Sequence, residues 1–181
     1  SLINAAKSRR VLDREAHAAW SIAQELGDKE RSFNTCKLAL DALMNYGLGP
    51  AVASPEGRNW VEKADQLGMQ GTKERALIDV FKGTLNVVIG NSHKGVSQLT
   101  SALEQARKLG DIKIYWFAAW SWLYWVCAPQ HSKSRLFLAE ELLSKSHVGL
   151  NPTEIMWGLM MMIDAFLCFG MRHRVDTLMQ K

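Results

Sequence analysis

The sequence predicts an all-α fold, and three observations carry that prediction. A short phrase ending in Leu-Gly recurs in "AAWSIAQELGD" at 18–28, "WVEKADQLGM" at 60–69 and "ALEQARKLGD" at 102–111, so that Gly27, Gly68 and Gly110 fall 41 and 42 residues apart. Between successive copies lies a more apolar stretch whose apolar residues follow helical spacing. No segment sustains the apolar–polar alternation of a strand. A period of this length belongs to stacked helical units, each too small to bury its own apolar face, and not to an active-site motif.

The elements follow in order. A leading helix ends at Leu26-Gly27, where a glycine just past an apolar residue suits a left-handed C-terminal cap. "KERSFNTCKLALDALMNYG" is the next helix, ending at Gly47. "GLGPAVASPEG" at 47–57 reads as a loop, and Ser54-Pro55-Glu56 supplies the cap and first-turn proline of a shorter helix ending at Leu67-Gly68. "KERALIDVFKGTLNVVIG" ends at Gly90, and Asn91 or Ser92 caps the helix that follows. That helix carries Val96, Leu99, Ala102, Leu103, Ala106 and Leu109 on one face. "IKIYWFAAWSWLYWVCA" is stopped by Pro129. "PTEIMWGLMMMIDAFLCFG" starts at Pro152 behind the candidate cap Asn151 and ends at Gly170; it reads as a buried helix despite Asp164. With the helices around "LAEELL" and after Gly170, the total is about nine: one leading helix and four antiparallel pairs, forming a single domain over 1–181.

Composition narrows the function. Hydrophobic residues make up 48% of the 181 and charged residues 22%, a globular and not a disordered balance. The net charge of +4 is scattered. "KSRR" at 7–10 and "RHR" at 172–174 are the dense clusters, and both read as solvated helix faces, so no continuous stripe suits nucleic acid. No apolar run approaches 18 residues, which argues against a membrane span. The chain opens on Ser1, without a signal peptide, and reads as a piece of a longer protein. Cys36, Cys127 and Cys168 lie in apolar helical stretches and read as reduced, buried thiols of a cytoplasmic protein.

No catalytic constellation emerges. Histidines 17, 93, 131, 147 and 173 are dispersed, without zinc spacing, so no metal or cofactor is assigned. "GNSHKG" at 90–95 lacks the Walker spacing and reads as a turn. Cys127 and Cys168, 41 residues apart, read as small core residues in neighbouring units, with a disulfide or metal pair as the alternative.

The helix pairs resemble tetratricopeptide repeats of a longer, roughly 42-residue type. The unit around Gly83, Gly90 and Gly95 matches best, with Leu99 and Ala102 at the large and small positions of its second helix. The resemblance implies a right-handed α-α superhelix in which small residues at 83 and 95 let two helices touch. Residues 98–170 are similar to the helical-repeat regions that follow the ATPase module in bacterial nucleotide cyclases and maltose-regulator-type activators. That likeness implies a non-catalytic regulatory module of a signalling or transcription protein, partnered by a protein or peptide segment or by another domain of its own chain.

The aromatic cluster at 115–125 is the candidate site. Trp116, Trp120 and Tyr124 follow i, i+4, i+8, and Trp157 lies 41 residues after Trp116. In the family the first helix of each pair lines the concave surface, so these four rings are expected to form a binding wall, where tryptophan and tyrosine give large contact area. Core packing is the competing reading. A small-molecule sensor is the alternative function, with Trp116, Trp120 and Trp157 walling a pocket for a sugar or another stackable ligand. The Met160–Met162 run reads as core filler, with an adaptable binding surface as its alternative.

Overall fold

The computed structural model describes residues 7–179. Among these residues there are nine α-helices and no strand: α1 (Ala16–Glu25), α2 (Lys29–Val52), α3 (Pro55–Asp65), α4 (Lys73–Val88), α5 (Ser92–Leu109), α6 (Ile112–Trp125), α7 (Ser132–Leu143), α8 (Pro152–Cys168) and α9 (Arg172–Met179). Residues 7–10 are also helical and join α1 through a π-helical turn at Val11–Glu15. A 3-10 turn at Pro129–His131 precedes α7.

Most helix starts are written by a capping side chain. Asp28, Ser54, Thr72, Asp111 and Asn151 each accept a hydrogen bond from a backbone N–H of the first turn. At α8 the cap is reciprocal: Asn151 accepts from Glu154 N at 2.9 Å, and Glu154 Oε2 accepts from Asn151 N at 2.7 Å. Each such cap satisfies an orphan donor and contributes about 1 kcal/mol.

Two of the three Leu-Gly marks are left-handed caps, with φ of +63° at Gly27 and +66° at Gly110. Gly68 serves a different need: a Cβ there would lie 2.5 Å from Ile78 Cδ1. The segment 47–57 is not the open loop its composition suggests. Gly47 and Leu48 break α2, but residues 49–52 turn helical again and bury Val52. Leu48 holds a φ of +53°, the left-handed region that disfavours a side chain.

Chain packing divides the molecule into two compact units, Ser1–Gln98 and Leu99–Lys181, with the boundary inside α5. In the first unit α2 packs against α1, α3 and α4. Cys36, Leu40, Trp60, Ile78 and Phe81 fill its centre. Arg75 is buried where α3 meets α4 and bonds Asp65 at 2.7 Å and also Asp79; Lys82 reaches Asp65 at 2.8 Å. Gly83 and Gly95 allow a close approach of α4 and α5, since a Cβ on Gly95 would stand 2.8 Å from the Gly83 carbonyl oxygen. In the second unit α8 packs against α6, α7 and α9. Its core holds Leu99, Trp116, Leu123, Leu142, Met162 and Phe166.

Candidate functional site

The aromatic helix α6 is apolar on nearly every side, so its sequence could not say which rings are enclosed. The structure encloses the two that anchor the expected wall. Trp116 is 0% exposed and Trp120 6%. The cause is α8. Gly158 presses on the Trp116 ring so closely that a Cβ there would lie 2.1 Å from Cζ3. Trp157 stacks on Trp120 with centroids 5.5 Å apart and planes 20° apart. His147 closes the edge of Trp116 at 5.0 Å. Trp116 and Trp120 are therefore packing residues and present no ring face to a partner. Tyr124 and Trp157 are half-buried, Tyr124 edge-on to Trp125 at 4.7 Å. The four rings do not form one open wall.

Trp116 and Trp157 do not occupy equivalent positions along their helices. Asp111 and Asn151 cap α6 and α8, so position along each helix can be counted from its cap. Trp116 stands five residues past its cap, and the residue five past Asn151 is Met156, not Trp157. Trp120 likewise corresponds to Met160.

Those methionines lead to a surface that the sequence reading placed in the core. Met156, Leu159, Met160 and Ile163 recur at i, i+3, i+4 and i+7 along α8, the stripe of an amphipathic helix. With Leu178 and Met179 of α9 they line an open groove of about 450 Å³ whose lining side chains are all apolar. Met156 is 46% exposed, Met160 45% and Met179 74%. Met161 and Met162 do point inward, as core filler should, but Met160 does not. The signal was available in the stripe itself. It was masked because the other side of α8, with Trp157, Gly158, Met161, Met162 and Ala165, is equally apolar.

Two ion pairs of this unit join its helices. Arg107 grips Glu141 with two bonds of 2.6 and 3.0 Å. Burial works against the Glu141 charge, but the Arg107 bonds outweigh it and hold the carboxyl below its usual range. Beside this pair, burial and then the Glu141 charge push the Tyr115 phenol up, so it stays neutral. Arg135, also buried, bonds Asp164 at 2.5 Å and approaches Cys168 Sγ at 3.9 Å. Asp164 is thereby an exposed partner of a buried cation and not a buried acid.

No family model, curated protein or solved structure matches the chain.

The cysteines depart from expectation in part. Cys36 is fully buried, and burial pushes its thiol up to about 12. Cys127 and Cys168 are exposed, because each lies at or beyond the C-terminal end of its helix, where fewer neighbours surround it. Among the described residues no group of three His, Cys, Asp or Glu side chains is placed to hold a metal ion. No described helix is long and apolar enough to cross a membrane. A second cavity of about 300 Å³, lined in part by Arg9, Asp13, Tyr46, Ser54 and Glu56, lies in the first unit. Its charges have both signs, with Arg9 and Asp13 paired at 3.5 Å and both largely exposed.

Proposed function

We propose that this chain is a non-catalytic protein-interaction module that docks partners on the α8–α9 face of its second unit. One observation carries the reading: a continuous apolar groove, flanked by methionines nearly half exposed, on a helix whose N-terminus is closed by a capping box. A surface of this kind leaves apolar area in water, and its burial by a partner supplies the driving force for association. Methionine is unbranched and polarisable, so such a surface adapts to the side chains it meets. The resemblance to regulatory helical repeats points the same way, toward a cytoplasmic signalling or transcription protein. The small-molecule alternative has less support, because Trp116 and Trp120, the rings meant to wall its pocket, are enclosed.

The test is a selection. A displayed library of helical and extended peptides is panned on the purified protein and counter-selected on its Met160→Glu variant. The reading expects binders that require the wild-type face. A library whose binders do not distinguish the two proteins, alongside a metabolite that raises the melting temperature of both, would replace it with the sensor reading.

A further inference from the structure

The second unit contains its own template for what the groove receives. Counted from the caps Asp111 and Asn151, the α6 residues Trp116, Ala119, Trp120 and Leu123 correspond to Met156, Leu159, Met160 and Ile163 of α8. The four on α6 are all buried. Two of them are covered by α8: Gly158 lies against Trp116 and Trp157 stacks on Trp120. The helix α8 packs on α6 and α7 together, and those two pack on each other. By the same count along the chain α8 takes the place of α6 and α9 that of α7, and α9 packs on α8. Only the covering helix is different: the faces that correspond to Trp116 and Trp120 are open at Met156 and Met160.

We infer that the α8–α9 groove is a docking site for a partner helix of the α8 type, one that carries an aromatic residue followed at once by a glycine and then apolar residues three, four and seven positions after that glycine. This rests on the interaction reading above and names its partner chemistry. The glycine lets the partner backbone settle on the floor of the groove, as Gly158 does on Trp116. The aromatic ring flanks the second floor position, as Trp157 does at Trp120. The absence of charge from the lining selects a partner whose docking face is also uncharged, since a charge set there would lose its water without gaining a counter-ion. Methionines in place of the two tryptophans give a softer floor, which suits a partner that binds and leaves and not a permanently packed neighbour.

The probe is a fluorescently labelled synthetic peptide spanning residues 151–168 of this chain. It carries Met156→Glu, Leu159→Gln, Met160→Lys, Ile163→Gln and Cys168→Ser. These changes make its outer face polar, add one i,i+4 ion pair to support the helix, and leave Trp157, Gly158, Met161, Met162 and Ala165 as its docking face. Fluorescence anisotropy is followed as the intact protein is titrated in. The expected result is a saturable rise. Met160→Glu in the protein should weaken binding about ten-fold or more, the size of a hot-spot loss, and Gly158→Leu in the peptide should do the same. Circular dichroism and an unchanged melting temperature establish that the Met160→Glu protein is folded, with Met156→Lys as a second disruption of the groove.

No saturable binding, or binding indifferent to both protein variants, overturns the inference. So does a peptide that tolerates Gly158→Leu, because the helix would then not sit as α8 sits on α6. A concentration-dependent dimer of the wild-type protein, dissolved by Met160→Glu, would assign the groove to a second copy and overturn it as well. If the peptide fails while the library selection still returns binders that need Met160, this inference falls and the interaction reading stands. If both fail, the interaction reading falls too.

Discussion

Gly158→Ala sets two physical effects against each other, and the structure decides the sign. Alanine is the better helix former, and a Gly→Ala change inside a helix is ordinarily worth about 1 kcal/mol of added stability. Position 158 is well inside α8, so propensity alone predicts a gain. The new Cβ, however, would stand 2.1 Å from Cζ3 and 2.5 Å from Cε3 of Trp116. Ordinary contact needs more than 3.4 Å, so the ring or the helix must move. The ring is 0% exposed, with His147 at its edge, and has no open side to swing toward. Overpacking of a well-packed core costs about 1–3 kcal/mol. Set against the propensity gain, the steric loss leaves a net destabilisation of up to about 2 kcal/mol. Urea denaturation followed by far-ultraviolet circular dichroism measures it from the shift in midpoint at constant slope. Trp116→Phe removes the clashing part of the indole, so Gly158→Ala should cost less in that background, and the double-mutant cycle reports the coupling. A Gly158→Ala protein more stable than wild type would refute the reasoning, since it would mean that α8 does not press on Trp116.

Three further outcomes follow from the same geometry. Gly95→Ala should also be net destabilising, by up to about 2 kcal/mol after the propensity gain, because its Cβ meets Val87 N at 2.7 Å and the Gly83 carbonyl oxygen at 2.8 Å, backbone atoms that cannot rotate away; greater stability in a melt would contradict the α4–α5 contact. Under native conditions Cys127 and Cys168 should react with a thiol reagent while Cys36, buried and with its thiol pushed up to about 12, should label only on unfolding; mass spectrometry of the labelled peptides decides. Burial opposes the Asp65 charge, but bonds from Lys82 and Arg75 prevail and hold its pKa below the ordinary value, so its contribution to stability should be complete above about pH 4, the unfolded value, and fade as the pH falls through the lower folded one. Asp65→Asn should flatten that part of the acid limb; an acid limb identical in the two proteins would show that the network does not act this way.

The parts of the fold that were legible in the sequence are the local ones. Asn151-Pro152 and Ser54-Pro55 mark helix starts because a capping oxygen and a proline act within one turn, and both starts stand where those residues put them. The pairing of Gly83 with Gly95 comes from the resemblance to a repeat pattern and not from local chemistry, and the two do stand close. What depended on which neighbour covers which face was not legible. In α6 and α8 nearly every side is apolar, so periodicity cannot separate a ring pressed under Gly158 from one left open. Met160 and Met161 are adjacent and chemically identical, yet one faces the groove and the other the core. The segment 47–57 misled because its glycines and prolines describe the break at Leu48 but not the short helical turn after it, which forms because Val52 finds a buried place.

The most direct measurement is limited oxidation with dilute hydrogen peroxide, with methionine sulfoxide mapped residue by residue. The central claim is that α8 presents an open docking face where the corresponding face of α6 is covered. Met156 and Met160 should therefore oxidise rapidly in the free protein while Met161 and Met162 in the same helix lag far behind. Adding the α8-type peptide should protect Met156 and Met160. Equal oxidation of Met160, Met161 and Met162, or slow oxidation of Met156 and Met160 in the protein alone, would contradict the account, because the face would then be covered or the helix turned.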